Sequence, residues 1–265
     1  MRPGETLALG YFLVVCGAAL ALMRRRPGWR RAFGWASAGV LVATTSRFAP
    51  ALELSDVVRI HLRDWWLLLA LPLAYWAPAP LAGAANVRLE RWLQRIDARL
   101  GLTRLDLGAH GVLEFAYLLV YPMVPAGLLA VTTSGTYLVA EFWSALLAAV
   151  LPCYGLLPLL PTRPPRAFLM PDSEPADTAT TCVRRANIRF FAMFGNTWNT
   201  LPSGHAAGAA AVAVMVWRSG SPLAPVFALL AIGIALGTVR GRYHYAVDTM
   251  LGAALGAGAG IIVFG

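Results

Sequence analysis

Arg240-Gly241-Arg242-Tyr243-His244-Tyr245-Ala246-Val247-Asp248 separates two apolar runs, 222–239 and 245–264. Each has about the 20 residues that an α-helix needs to cross the hydrocarbon layer of a bilayer, so together they read as a helical hairpin. Its turn carries arginines, a histidine and a carboxylate at one membrane surface. Such groups cost free energy beside a membrane span, which makes the turn a candidate functional site. Similar runs near 7–23, 65–85, 110–131, 136–160 and 202–218 predict further spans. The stretch 32–47 is diluted by Ser37, Thr44, Thr45 and Ser46, and reads either as a span or as a re-entrant segment.

Composition points the same way. The 265 residues are 58% hydrophobic and only 13% charged, with a mean hydropathy of +0.62, more apolar surface than one soluble core can hide. The expected fold is all-α: a polytopic membrane helical bundle. Residues 63–265 form a six-span catalytic core, and residues 1–62 form an N-terminal extension with one or two extra hydrophobic segments. The first apolar segment is long and is followed by Arg24-Arg25-Arg26 without a small-residue cleavage site, so it reads as an anchor rather than a cleaved signal. Cys16, Cys153 and Cys182 lie too far apart for a disulfide framework or a zinc motif. The net charge is +9 and every basic side chain apart from histidine is arginine, whose planar fork of donors suits phosphate oxygens. No nucleic-acid partner, cofactor or metal is expected.

Between the spans, residues 87–104 carry Leu89, Trp92, Leu93, Ile96 and Leu100 at helical spacing, with Arg88, Arg91, Arg95 and Arg99 on other faces. This predicts an amphipathic helix in the membrane interface. Pro161-Thr162-Arg163-Pro164-Pro165-Arg166 then ends the 136–160 span, because its prolines cannot continue a helix. A long polar loop with Asp172, Glu174, Asp177, Arg184, Arg185 and Arg189 leads through Asn196-Thr197-Trp198-Asn199 into Leu201-Pro202-Ser203-Gly204-His205. Counting spans brings these loops and the Arg240–Asp248 turn to one membrane face. Arg166, Arg184, Arg185 and Arg189 read as ordinary loop charge, and His61 and His110 receive no role. Glycines at 233, 237 and 241, and at 252, 256 and 260, mark helix faces of close approach.

These motifs resemble those of the type 2 phosphatidic acid phosphatase superfamily, which shares its site with bacterial acid phosphatases and vanadium haloperoxidases. Pro202-Ser203-Gly204-His205 matches its second motif letter for letter, His244 and Asp248 match the end of the third, and Arg163-Pro164 matches the end of the first. Thr238 stands where that family has an arginine, and Leu156 where it has a lysine. Pro-Thr-Arg-Pro-Pro-Arg and Gly-Arg-Tyr-His-Tyr look more like the inositol phosphorylceramide synthase branch. The resemblance implies transfer or hydrolysis of a phosphoester on a phospholipid or lipid phosphate, with water, an alcohol or a ceramide as acceptor.

The residue types suit that chemistry. With His244 and Asp248 four apart at a helix start, the carboxylate lies one turn from the ring, can accept one ring N–H and leaves the other nitrogen free to attack phosphorus, giving a phosphohistidine. His205 would protonate the leaving oxygen and later deprotonate the acceptor. Arg163, Arg240 and Arg242 would neutralise the phosphate oxygens, with Ser203 and Gly204 completing an anion hole at a helix N-terminus. Asn199, Tyr117, Tyr121 and Glu114 are candidates to line an acceptor pocket. Alternatives from other classes are a metal-dependent membrane hydrolase using His205, His244 and Asp248 as ligands, and a catalytically silent scaffold or transporter. Charge counting places the site inside if 32–47 spans; the outward placement that the resemblance implies is the one expected here.

Overall fold

The structure, a computed structural model, describes residues 1–45, 55–101, 110–134, 138–168 and 182–263. It is all-α, and no strand occurs among the described residues. In chain order the helices are α1 (Pro3–Ala21), α2 (Trp29–Thr45), α3 (Asp56–Trp66), α4 (Ala70–Trp76), α5 (Val87–Leu100) and α6 (His110–Leu118). They continue with α7 (Val120–Thr133), α8 (Val139–Gly155), α9 (Cys182–Phe194), α10 (Gly204–Arg218), α11 (Ala224–Arg240) and α12 (Ala246–Ile262). The loop segment holding Asp172, Glu174 and Asp177 lies outside the described residues. Among the described residues only α1 is by itself long and apolar enough to cross a membrane, and α6 with α7 makes a second if that bent pair counts as one span. Helices α8, α11 and α12 are apolar but shorter, at 17 residues each.

Two of the expected spans are broken, and proline explains both. The run 65–85 becomes the end of α3, a 3-10 turn at Leu67–Leu69, α4 and a second 3-10 turn at Ala79–Leu81. Pro72 has no N–H to offer the carbonyl of Leu68, so the chain tightens there rather than continuing as one α-helix. In the run 110–131, Pro122 withholds an N–H from the carbonyl of Leu118, and the helix bends by 55° between α6 and α7. The bend sets α6 apart from α7, and α6 is the helix that carries Glu114 and Tyr117.

Helix α2 runs antiparallel to α1, with Cys16 beside Ser37 and Phe12 beside Gly39. In turn α1 runs parallel to α8, Gly4 facing Trp143 and Tyr11 facing Gly155. Buried side chains of α1, α2, α4, α8 and α10 form one continuous apolar core, so the N-terminal extension packs into the bundle. At its far end Arg2 pairs with Asp64 at 2.5 Å, Arg63 with Glu5 at 3.0 Å, and the Trp143 indole donates to the Asp64 carbonyl at 2.7 Å. At the other end the Arg26 guanidinium and Gly28 lie against Gly83 and Pro80. That end also carries the loops after α8 and α11.

The glycines of α12 do what their spacing predicts. A Cβ on Gly252 would collide with the Ser203 carbonyl, and one on Gly256 with the Ala207 carbonyl. Only hydrogen side chains let the backbones of α10 and α12 approach this closely. That contact holds the start of α10, with His205, against the start of α12, with Asp248.

Candidate active site

Three loops converge at the ends of α8, α9 and α11, and the backbone stitches them together. Thr162 and Asn199 form an isolated antiparallel bridge, with Asn199 N–H donating to the Thr162 carbonyl at 2.7 Å. Ser203 N–H donates to the Asp248 carbonyl at 2.9 Å, and Arg166 N–H to the Arg242 carbonyl at 3.1 Å. The Tyr245 hydroxyl donates to the Arg163 carbonyl at 3.1 Å. In the turn after α11 the Thr238 carbonyl accepts both Tyr243 N–H and His244 N–H, while its hydroxyl meets that of Thr249 at 2.8 Å. Thr238, where the resemblance has an arginine, is thus a buried brace of the turn. Arg242 takes the left-handed backbone there, with φ 56°, a conformation a non-glycine residue holds only under tertiary constraint.

The structure brings His205, His244 and Asp248 together. The two imidazole centroids are 5.6 Å apart. His244 Nδ1 lies 3.8 Å from Asp248 Oδ2, beyond hydrogen-bond length, and Nδ1 and the other carboxylate oxygen, Oδ1, are both buried without a hydrogen-bond partner. The Asp248 Oδ2 atom is instead drawn onto the Tyr245 N–H at 3.0 Å, as a capping box at the start of α12, and onto the Asn199 amide at 2.7 Å. Asn199, an acceptor-pocket candidate on sequence, therefore orients the carboxylate. Burial, and then the charge of Arg166, push His244 down to about 3 against an opposing hydrogen bond to the Thr200 backbone, so its ring is neutral and its lone pair available at ordinary pH.

Among the described residues Arg166 is the arginine that lines the cleft, together with Tyr75, Thr200, Tyr243, His205 and His244. Its guanidinium sits 5.1 Å from the centre of the Tyr243 ring. The arginines singled out on sequence are placed otherwise. Arg163 is held by Glu90 of α5: Nε to Oε1 at 3.0 Å, Nη2 to Oε2 at 2.9 Å and its own N–H to Oε1 at 2.8 Å. Neither Arg163, Arg240 nor Arg242 lines the cleft. The Ser203 hydroxyl accepts the Ala206 N–H as N-cap of α10, and Gly204 N–H donates to Thr200 Oγ1, so with Ser203 N–H given to the Asp248 carbonyl both backbone donors are engaged within the fold. Tyr117 bonds His205 Nε2 through its hydroxyl at 3.1 Å, and the Tyr121 ring stands edge-on to His205 at 6.1 Å.

Helix α5 differs from its sequence reading. Its buried line is Glu90, Leu93 and Asp97, not a purely apolar stripe, and Trp92 and Leu100 are exposed. The reason is what the site loops offer: the donors of Arg163 to Glu90, and the Ala246 N–H to Asp97 Oδ1 at 2.9 Å. Burial works to raise the Glu90 pKa, but the hydrogen bonds and charge of Arg163 outweigh it and leave it lowered. Leu93 packs with Leu201 and Tyr245 beneath the same loops. Thus α5 clamps the site from behind while Arg88, Arg91 and Arg95 line its outer face.

Sequence reasoning passed over Arg166, Thr200 and Tyr243 as site residues. The signal for Arg166 was present in the Pro-Thr-Arg-Pro-Pro-Arg run, but only the capture of Arg163 by Glu90 distinguishes the two arginines. Among the described residues no three His, Cys, Asp or Glu side chains group as metal ligands. The cleft leaves about 20 Å³, room for about one water. A second, apolar cavity of about 430 Å³ opens on the same His205, walled by Leu68, Leu71, Val124, Leu146, Val150 and Tyr154.

No curated protein and no solved structure matches the chain. The family model of the PAP2 superfamily matches residues 87–262, a span that takes in α5, all three stitched loops and both histidines, and the chain therefore belongs to the PAP2 superfamily.

Proposed function

We propose that the protein is a membrane-embedded lipid phosphotransferase or phosphatase that works through a phosphohistidine at His244. The observation that carries the lipid substrate is the apolar cavity of about 430 Å³ that meets the phosphate cleft at His205, because a phosphoester bound across both has a polar head and a long apolar tail. Membrane embedding is supported by large apolar side chains on the outside of the bundle, among them Val14, Val112, Leu129, Leu229, Ile232 and Ile262, each more than half exposed. In this reading residues 63–265 are the catalytic core and residues 1–62 an added hairpin.

In the reaction the neutral His244 ring attacks phosphorus and forms the N–P bond. The P–O bond to the leaving group breaks, and His205 supplies the proton that the departing oxygen takes up. His205 then removes a proton from water or from an alcohol acceptor, whose oxygen displaces His244. Arg166 faces the charge that builds on the phosphate oxygens, and Asp248, fixed by Asn199, stabilises the His244 ring as it becomes cationic. The likeness to inositol phosphorylceramide synthases tilts the acceptor toward an alcohol.

Two considerations oppose each other over the membrane face. The family resemblance implies an outward site, whereas Arg24–Arg26 emerge at the same end as the site loops, an arrangement that charge counting assigns to the cytoplasm. Sealed right-side-out and inverted vesicles, each given an impermeant short-chain lipid phosphate with and without an alcohol acceptor, test both questions. Turnover in one vesicle type names the face, and inorganic phosphate or a new phosphoester names the acceptor. No turnover in either type, with protein present in both, would sink the proposed function.

A further inference from the structure

Beyond the histidines and the cleft arginine, a buried polar chain runs from α9 to His205. Arg184 of α9 is buried and donates to Glu114 Oε1 at 2.6 Å, to the Gly241 carbonyl at 3.1 Å and to the Tyr243 hydroxyl at 3.2 Å. Asn187, one turn on, donates to Glu114 Oε2 at 2.5 Å and to the Glu114 carbonyl at 3.2 Å. The Tyr243 hydroxyl donates to Glu114 Oε2 at 2.7 Å. The Tyr243 ring stacks flat on Tyr117, with centroids 4.1 Å apart and planes 9° from parallel, and Tyr117 bonds His205 Nε2. A Cβ on Gly241 would strike the Tyr243 ring, so the turn has to be bare there for the stack to form.

Burying a carboxylate, a guanidinium and two phenols together is costly unless each is satisfied, and polar chains of this kind rigidify what they touch. What this one touches is the proton donor. A histidine that must give a proton to a departing alkoxide needs one nitrogen occupied by a fixed partner, so that tautomer and ring angle are set before substrate arrives. We infer that Tyr117 is a positioning residue for His205, and that the Glu114–Arg184 pair, through Tyr243, is the brace that holds Tyr117 in place. This rests on the proposed phosphotransfer reading and extends it to α9, a helix with no part in the three sequence motifs. It also removes Tyr117 from the acceptor pocket, since its hydroxyl is engaged with His205.

The test separates proton donation from folding and from binding. Two substrates carry the same phosphoryl group: one with an alkyl leaving group, which needs a proton to depart, and one with p-nitrophenolate, which does not. With Tyr117→Phe, kcat/KM, which reports only the first step in which the leaving group departs, falls by about 10- to 100-fold for the alkyl ester and by less than about threefold for the p-nitrophenyl ester. Tyr243→Phe, which keeps the stack and loses the bond to Glu114, shows the same pattern at smaller size, and the double variant falls no further than Tyr117→Phe alone. Equal losses with both substrates would assign the chain a merely structural role and overturn the inference. So would unchanged turnover of the alkyl ester by Tyr117→Phe. If Tyr117→Phe fails to fold, the two-substrate comparison in Tyr243→Phe decides. A native protein inactive on both substrates would instead count against the proposed function itself.

Discussion

His244→Ala turns over no substrate at a measurable rate, a loss of at least about 10⁴-fold, whatever the leaving group. The reason is that no other described group in the cleft combines a neutral lone pair with a place beside Asp248: His244 Nδ1 is the ring nitrogen 3.8 Å from the carboxylate, and burial keeps that ring unprotonated. His205→Ala behaves differently. In kcat/KM, which reports only the step in which the leaving group departs, it loses about 10²- to 10⁴-fold on an alkyl ester and far less on the p-nitrophenyl ester, because a good leaving group departs without a proton. The two variants measured side by side on both substrates give the nucleophile and the acid their separate signatures. If His244→Ala retained the p-nitrophenyl activity and His205→Ala lost it, the roles would be reversed.

Arg166→Ala lowers kcat/KM by about 10²- to 10³-fold while leaving the thermal transition of the protein in detergent almost unmoved. Arg166 lines the cleft and lies close enough for its charge to help depress His244, so in the proposed reaction its removal takes away the charge that would face the phosphate oxygens. Arg163→Ala gives the converse result: a lowered melting temperature and, for the protein that remains folded, activity within about tenfold of native. Its guanidinium is committed to Glu90 at two points, and without it that carboxylate is stranded at 1% exposure behind the site. Glu90→Gln repeats the Arg163→Ala phenotype in milder form. Activity lost in Arg163→Ala with stability intact would return the phosphate-binding role to the arginine of the Arg-Pro motif.

The contrast between these two arginines shows where the sequence is legible. Ser203, His205, His244 and Asp248 stand at helix starts whose caps and spacings are local, so their gathering at one end follows from the order of the apolar runs. Choosing between Arg163 and Arg166 needs Glu90, 73 residues away on another helix. The role of Asn199 as the anchor of Asp248 likewise depends on a contact between segments 49 residues apart. The brokenness of the runs at 65–85 and 110–131 was written in Pro72 and Pro122. A hydropathy window averages those prolines away, and with them the bend that separates α6 from α7. For α5 the hydrophobic periodicity was real, but the carboxylates Glu90 and Asp97 found donors in the site loops and turned that line inward.

The proposed covalent intermediate at His244 is tested most directly by rapid quenching at alkaline pH during turnover of a substrate labelled at phosphorus, followed by peptide mapping. The label is expected on His244 within the first turnover, absent from His244→Ala and present at native level in Arg163→Ala that has folded. Turnover with a label on His205, or with no labelled peptide at any time within the first cycle, would contradict attack by His244.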